Sequence, residues 1–73
     1  MNIDEIKRIV SLQLGIRYIS DEARFIEDLK AESFDVMNII VAVEEKYNVE
    51  IKESEIPELK TPAAIFRYIN MRN

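Results

Sequence analysis

Residues 33–47, which read SFDVMNIIVAVEEKY, decide the fold of this chain. Their apolar residues recur at helical spacing, which predicts a helix over this stretch, with Asn48 as its C-terminal cap. At 100° per residue one side of the helix is predicted to face the core, and its members are Val36, Ile39, Ile40, Val43 and Tyr47. A second apolar strip lies roughly 100° away and consists of Phe34, Met37 and Val41.

The second apolar strip has two interpretations. Ser33 and Glu44 lie along one border of the strip, and Asn38 and Glu45 lie along the other. An apolar strip with a rim of carboxylates is typical of a partner-binding surface. Alternatively, a central helix in a small bundle buries most of its circumference. The pattern alone leaves both open.

Helical signals precede and follow this central stretch. A first helix is predicted over Ile3–Leu14, with Asn2 as N-cap, a hydrophobic staple between Met1 and Ile6, and Gly15 at the end. A short helical turn is predicted from Glu53 to Ile56. The last helix begins at a Thr61 cap, with Pro62 in its first turn. Its inward-facing residues are predicted to be Ile65, Tyr68 and Ile69.

Residues 16–31 show no sustained periodicity and predict a long loop. This loop requires apolar anchors, and the candidates are Ile16, Ile19, Phe25 and Leu29. Loops of this length in so small a chain are more often functional. The sequence therefore predicts an all-α fold: a small four-helix bundle with three longer helices, one short helix and a long loop after the first helix.

Composition narrows the function classes. The chain has 73 residues, a single domain over residues 1–73 at most, with no Cys and no His. Disulfides, thiolate chemistry and the commonest general base and metal ligand are therefore absent, which argues against an enzyme or a metal site. The net charge of −4 argues against nucleic acid as a partner.

No targeting or membrane segment is recognisable. The amino terminus lacks the basic start and apolar run of a secretion signal. The longest apolar run, residues 39–43, is far shorter than the roughly 20 residues that span a bilayer. We expect a soluble, cytoplasmic monomer without membrane insertion.

The acidic residues are concentrated in the middle of the chain. Residues 27–58 contain ten acidic and three basic residues, whereas the remainder is net basic. A field of this kind steers basic partners toward the Ser33 end of the central helix. The alternative is a solvated face that serves solubility.

Ser33 opens the central helix, where a serine is ordinarily the N-cap. It lacks the usual capping-box partner, because Val36 stands three residues later. Free backbone N–H groups and the helix dipole also favour an attached phosphate at this end. Glu32 and Asp35, on either side, are candidates to help hold a divalent cation for a transferase.

Residues 27–35, EDLKAESFD, resemble the acyl carrier protein signature, whose usual core is Asp-Ser-Leu. The likeness extends to Leu14-Gly15 at the end of the first helix, to residues 25–29 in the loop and to residues 43–51. Thr61, Ile65 and Tyr68-Ile69 are similar to the last helix of that family. The resemblance therefore covers essentially the whole chain.

The resemblance implies that Ser33 receives 4′-phosphopantetheine from coenzyme A, installed by a separate magnesium-dependent phosphopantetheinyl transferase, with Glu32 and Asp35 beside it. The thiol of that arm would hold acyl groups as thioesters for enzymes of fatty-acid, polyketide or specialised lipid biosynthesis. Such enzymes would dock through basic patches. The implied partner surface consists of Phe34, Met37, Val41, Glu44, Glu45, Glu53 and Ile56. The implied acyl-chain cleft consists of Phe25, Ile40, Val43 and Ile65.

Four residues depart from the family pattern. Glu32 replaces the usual Asp, Phe34 replaces Leu, Lys30 stands where Gly is common, and Asn38 stands where Glu is frequent. We interpret them as signs of a specialised carrier with a dedicated partner set. The alternative hypothesis is an unmodified, acidic helical interaction module of the same fold.

Overall fold

The computed structural model describes residues 2–72 and contains four helices. They are α1 (Ile3–Leu14), α2 (Ser33–Tyr47), a 3₁₀ helix (Glu53–Glu58) and α3 (Pro62–Arg72). No strand occurs in residues 2–72. The predicted all-α fold with three longer helices and one short helix is thus confirmed, including the bounds of α1 and α2.

Local capping signals set the ends of α1. The Asn2 side chain accepts a hydrogen bond from the backbone N–H of Glu5 at 3.1 Å. Gly15 adopts the left-handed conformation with φ of 68°, and its N–H donates to the carbonyl of Ser11 at 2.8 Å. These contacts satisfy backbone groups that a helix leaves open at its ends. The predicted staple involves Met1, which lies outside the described residues.

The other caps also follow the sequence. Asn48 ends α2 in the left-handed conformation, with φ of 52°. The Thr61 hydroxyl accepts a hydrogen bond from the N–H of Ala64 at 3.0 Å, so it caps α3 as predicted. Pro62 occupies the first position of α3, where its missing N–H has no intrahelical partner to lose.

The 3₁₀ helix is longer than predicted. It continues through Pro57 to Glu58, whereas the sequence indicated an end at Ile56. Proline fixes φ near −65°, a value that a 3₁₀ helix also uses, and its missing N–H removes only one hydrogen bond. The turn recovers at once, because the N–H of Leu59 donates to the carbonyl of Ile56 at 2.9 Å.

The core draws on all three long helices and on the connections between them. Seven side chains of the core cluster lie on the helices and are at most 1% exposed: Ile6, Val10, Ile39, Ile40, Val43, Ile65 and Ile69. The connections between the helices add six buried side chains to this cluster: Ile19, Ala23, Phe25, Ala31, Ile51 and Leu59. Half-buried residues pack against this core, among them Ile9, Leu14, Ile16, Leu29, Val36, Tyr47 and Tyr68.

Polar contacts tie the elements together across the core. The Tyr47 hydroxyl on α2 donates to Glu5 on α1 at 2.8 Å. Burial, reinforced by this carboxylate, raises the pKa of Tyr47, so the phenol remains a donor. The Tyr68 hydroxyl on α3 donates to Glu55 at 2.8 Å. Both tyrosines thus keep a half-buried hydroxyl satisfied.

The loop over residues 16–31 is held by backbone bonds and ion pairs. The N–H of Phe25 donates to the carbonyl of Lys60 at 3.0 Å, which joins the loop to the segment before α3. Arg24 makes two side-chain hydrogen bonds to Asp28, at 3.0 and 3.1 Å, which hold the pKa of Asp28 below its ordinary value. A long loop is therefore fixed rather than free.

Lys30 adopts a backbone conformation that favours glycine. Its φ is 60°, in the left-handed region; its side chain is exposed, and its Nζ donates a hydrogen bond to the carbonyl of Glu27 at 3.1 Å. Left-handed φ costs a residue with a Cβ about 1–2 kcal/mol. The glycine common at this position of the family therefore has a conformational reason.

Lys30→Gly is expected to raise the free energy of unfolding by about 0.5–1 kcal/mol, because relief of strain exceeds the entropy that glycine adds to the unfolded chain. Urea denaturation monitored by circular dichroism measures this as a higher midpoint with an unchanged slope. Lys52→Gly is the matched control, since exposed Lys52 has φ of −66° and should only lose stability. An equal loss of unfolding free energy in both variants would show that the backbone of Lys30 is not strained.

Candidate functional site

The N-cap of α2 lies one residue earlier than the sequence suggested. Glu32 is the N-cap, with extended φ of −96°, and Ser33 is the first helical residue. The prediction that Ser33 caps the helix is therefore wrong. The cap is closed by Asp35, whose Oδ2 accepts a hydrogen bond from the N–H of Glu32 at 3.0 Å. The capping box therefore lies at residues 32 and 35 and not at residues 33 and 36.

This shift leaves the Ser33 hydroxyl available. Ser33 is exposed, and within residues 2–72 its side chain makes no hydrogen bond. A true N-cap serine would hold its oxygen against the backbone N–H groups of the first turn. The geometry instead presents a free hydroxyl on a rigid helix start.

Asp35 connects the start of α2 to α1. Its Oδ1 accepts a hydrogen bond from the Gln13 side chain at 3.1 Å, so the carboxylate joins the end of α1 to the start of α2. The N–H of Glu32 and then the Gln13 amide lower the pKa of Asp35 below its ordinary value. Both carboxylate oxygens thus have structural partners, whereas the neighbouring Glu32 is exposed. Residues 2–72 contain no group of three or more side chains arranged to hold a metal ion.

A cavity of about 290 Å³ lies beside Ser33. It is formed by the loop before α2, the first turns of α2 and the segment from the 3₁₀ helix to Lys60. Seven of its ten lining residues are apolar, so it suits an apolar occupant. The lining consists of Phe25, Ile26, Glu27, Ser33, Val36, Met37, Ile56, Pro57, Leu59 and Lys60.

The four residues that the resemblance placed in an acyl-chain cleft do not all lie at the cavity. Phe25 lines the cavity. Ile40, Val43 and Ile65 do not, and their side chains are at most 1% exposed within the core. Sequence reasoning missed several lining residues, among them Ile26, Val36, Pro57 and Leu59. Of the residues predicted to line the cleft, only Phe25 lines the cavity. Helical periodicity predicts which residues are buried, but it does not predict which buried residues face a cavity.

The second apolar strip of α2 is exposed. Phe34, Met37 and Val41 are 60%, 44% and 45% accessible, so the alternative that α2 buries this side is wrong. Glu45 and Glu53 are exposed as well. The other two members of the implied surface, Glu44 and Ile56, are half-buried.

Glu44, Ile56 and Met37 each have a structural contact besides any partner role. Glu44 is half-buried, and its Oε2 accepts a hydrogen bond from the N–H of Ile51 at 2.8 Å. Ile56 is half-buried and lines the cavity, as does Met37. The strip and the cavity therefore share residues.

Comparison with known proteins places the chain in a family. The family model described as "Phosphopantetheine attachment site" matches residues 4–69. The acyl carrier protein of Wolinella succinogenes is 40% identical over 68 residues, which cover 90% of both chains. That of Chlamydia caviae is 38% identical over 71 residues, or 94% of this chain and 92% of the relative. The chain belongs to the acyl carrier protein family.

Family membership settles two expectations from the sequence. Acyl carrier proteins are carriers and not catalysts, so the expectation that the chain is not an enzyme is confirmed. They carry covalently attached 4′-phosphopantetheine, which confirms the expected cofactor. The residues fit such a group, since a free serine hydroxyl adjoins an apolar cavity. Family members interact with enzymes, and no helix within residues 2–72 combines the length and apolarity needed to cross a bilayer.

Asp35→Asn is expected to reduce the loss of unfolding free energy that occurs as the pH falls toward 2. Because the folded pKa of Asp35 is depressed, its contribution is present above the ordinary Asp value of about 3.9 and is lost as pH falls through the lower folded value. The free energy of unfolding from pH 7 to pH 2 measures this. Asp4→Asn is the control, since Asp4 accepts no hydrogen bond within residues 2–72 and lies 4.0 Å from Lys7. If Asp35→Asn loses as much unfolding free energy between pH 7 and pH 2 as the wild type, the hydrogen-bonded Asp35 carboxylate is not the cause of that loss.

Proposed function

We propose that this chain holds acyl groups as thioesters on a 4′-phosphopantetheine arm attached to Ser33. It delivers them to enzymes of fatty-acid biosynthesis or of related polyketide or specialised lipid pathways. One observation carries the proposal: the exposed Ser33 hydroxyl makes no hydrogen bond within residues 2–72 and adjoins an apolar cavity. The arm supplies the thiol, which a chain without cysteine lacks.

The start of α2 suits a phosphodiester. Ser33 is the first helical residue, so the open N–H groups of the first turn and the positive end of the helix dipole lie close to its oxygen. Asp35 does not oppose an attached phosphate as strongly as a free carboxylate would, because both of its oxygens accept hydrogen bonds. Exposed Glu32 is then the carboxylate better placed to meet the magnesium ion of a transferase.

The partner surface of the proposal is the exposed strip of α2 with its acidic rim. Phe34, Met37 and Val41 offer apolar contact, and Glu45 and Glu53 offer exposed negative charge. A phosphopantetheinyl transferase and acyl-transferring enzymes with basic docking patches complement both features. Glu44 contributes more to the connection after α2, through Ile51, than to this surface.

The proposal also includes the expected domain extent, oligomeric state, location and specialised partners. We treat residues 1–73 as one acyl-carrier domain that acts as a cytoplasmic monomer. The departures at Glu32, Phe34 and Asn38 lie on or beside the exposed first turns of α2. They therefore alter the surface that a partner meets and leave the core unchanged, which supports a dedicated partner set.

Incubation with coenzyme A, magnesium and a broad-specificity phosphopantetheinyl transferase is expected to add one phosphopantetheine, measured by intact mass. Ser33→Ala should add none and should change the free energy of unfolding by less than about 0.5 kcal/mol, because Ser33 is not the cap. Ser54→Ala, another exposed serine at a helix start, is the control and should be modified normally. No addition to the wild type, including with its own organism's transferase, would favour the unmodified interaction module.

Met37→Glu and Val41→Glu are each expected to lower kcat/KM of the transferase at least tenfold, because each replaces an apolar contact with a charge that must lose its hydration when the partner binds. The rate of phosphopantetheine incorporation measures this. Leu12→Glu is the matched control, since Leu12 is 73% exposed on α1 and outside the strip. An equal loss in Leu12→Glu would show that the strip has no special role.

A further inference from the structure

A second surface of the molecule lies on α1 and the start of the long loop and carries positive charge. It is an open depression of about 590 Å³, lined among others by Lys7, Arg8, Ser11, Arg17, Tyr18 and Ser20. We propose that this basic surface, formed by Arg8, Arg17 and Tyr18, docks an acidic segment of a partner protein. This goes beyond the proposed function, since none of its residues lines the cavity beside Ser33 or belongs to the exposed strip of α2.

Two of the three cations at the basic surface have no partner in the described chain. Lys7 is half-buried, and its Nζ donates to Asp21 at 2.9 Å and lies 4.0 Å from Asp4. Arg8 and Arg17 are exposed, and they make no hydrogen bond or ion pair within residues 2–72. A guanidinium group presents its N–H donors in a planar fork that matches a carboxylate. Two such forks are therefore open to carboxylates from outside the chain.

The segment that carries Arg17 and Tyr18 is fixed on both sides. The Ser11 hydroxyl of α1 donates to the carbonyl of Ile16, and Ile19 is buried in the core. Tyr18 nevertheless remains 84% exposed. A large ring in a fixed segment loses little conformational freedom on binding, and Tyr and Arg are enriched among the residues that dominate protein interfaces. An exposed ring beside unpaired guanidinium groups is therefore typical of a protein-binding surface.

The charge distribution favours an acidic protein over other anionic partners. Residues 27–58 contain ten acidic and three basic residues, and the rest of the chain contains four acidic and seven basic residues. The net charge of −4 opposes binding to nucleic acid or to an anionic membrane, because both present dense negative charge over a wide area. The same net charge makes two copies of this chain repel each other. A locally acidic segment, in contrast, contacts the basic surface alone.

The extent of the basic surface suits a protein segment better than a compact anion. Asp4 and Ser11 both line the depression, and their separation along α1 corresponds to about 10 Å. Asp4 is exposed, so a compact polyanion centred on the depression would meet a carboxylate of like charge. A segment with carboxylates spaced along its length can place them at Arg8 and Arg17 and place an apolar side chain on Tyr18.

The basic surface faces away from α2. At 100° per residue, Arg8 and Ser11 lie roughly 130° around α1 from Glu5 and Gln13, whose side chains bond to α2. A protein on the basic surface and an enzyme on the exposed strip of α2 therefore contact different sides of the molecule. The basic surface can thus retain the chain in an assembly while the strip remains accessible.

The test measures binding of a fluorescein-labelled peptide of about ten residues with the repeat Glu-Glu-Leu, by fluorescence anisotropy at about 50 mM salt. A peptide with the repeat Gln-Gln-Leu is the neutral control. The acidic peptide should bind about tenfold more tightly than the neutral one. Raising the salt to about 300 mM should remove most of that difference, because salt screens exposed charges.

Substitutions locate the binding site. Arg8→Ala and Arg17→Ala should each weaken binding of the acidic peptide about fivefold, and Tyr18→Ala about tenfold, whereas Tyr18→Phe keeps the ring and should change little. Lys52→Ala removes the same charge from an exposed position before the 3₁₀ helix and is the matched control. Ser33→Ala should also bind the peptide normally. Circular dichroism verifies that each variant is folded.

The outcomes distinguish this proposal from the proposed function. Ser33→Ala lacks the attachment hydroxyl, so its normal binding would show that the basic surface acts without the phosphopantetheine arm. Equal binding of the acidic and neutral peptides would overturn the inference, as would an equal effect of Lys52→Ala and Arg17→Ala. Binding to phosphatidylglycerol vesicles that Arg17→Ala abolishes would identify a membrane surface instead. Dimers in sedimentation velocity that Arg17→Ala abolishes would identify a second copy of the chain, and either result would overturn the inference.

Discussion

The hydrogen bonds of the Asp35 carboxylate are the constraint on which the site depends. One oxygen accepts from the N–H of Glu32 and fixes the start of α2, while the other accepts from Gln13 and fixes α1 against that start. Because Glu32 takes the capping position, Ser33 becomes the first helical residue and its hydroxyl remains free. A single side chain thereby determines the helix register, an interhelical contact and the accessibility of the serine.

The cavity exists because loops, and not only helices, form part of the bundle's core. Phe25 is held on both sides, since its N–H donates to Lys60 and its carbonyl accepts from Ala31 at 2.9 Å. Its ring fills the core while one side remains a wall of the cavity. The loop before α2 and the 3₁₀ helix thus approach each other without the interdigitation that two packed helices would have, and space beside Ser33 remains open.

The sequence predicted features whose causes are local. The ends of α1 and α2 follow from Asn2, Gly15 and Asn48, which act through their immediate neighbours. The capping role predicted for Ser33 was wrong because the capping box joins Glu32 and Asp35, one residue before the pair that was considered. Similarly, periodicity correctly indicated that Ile40 is buried but could not tell whether it faces a cavity, which depends on how distant segments pack.

Met37 connects the two functional surfaces of the proposed carrier. Its side chain lines the cavity and also forms part of the exposed strip, so cargo on one side and a partner on the other contact the same flexible group. If filling the cavity shifts Met37, the free energy of partner binding changes, and linkage requires that partner binding change the shelter of the cargo by the same amount. Unbranched methionine permits such a shift with little strain, whereas a β-branched residue would be held in one rotamer. The overlap of cavity and strip therefore offers a physical route by which a partner distinguishes a loaded carrier from an empty one.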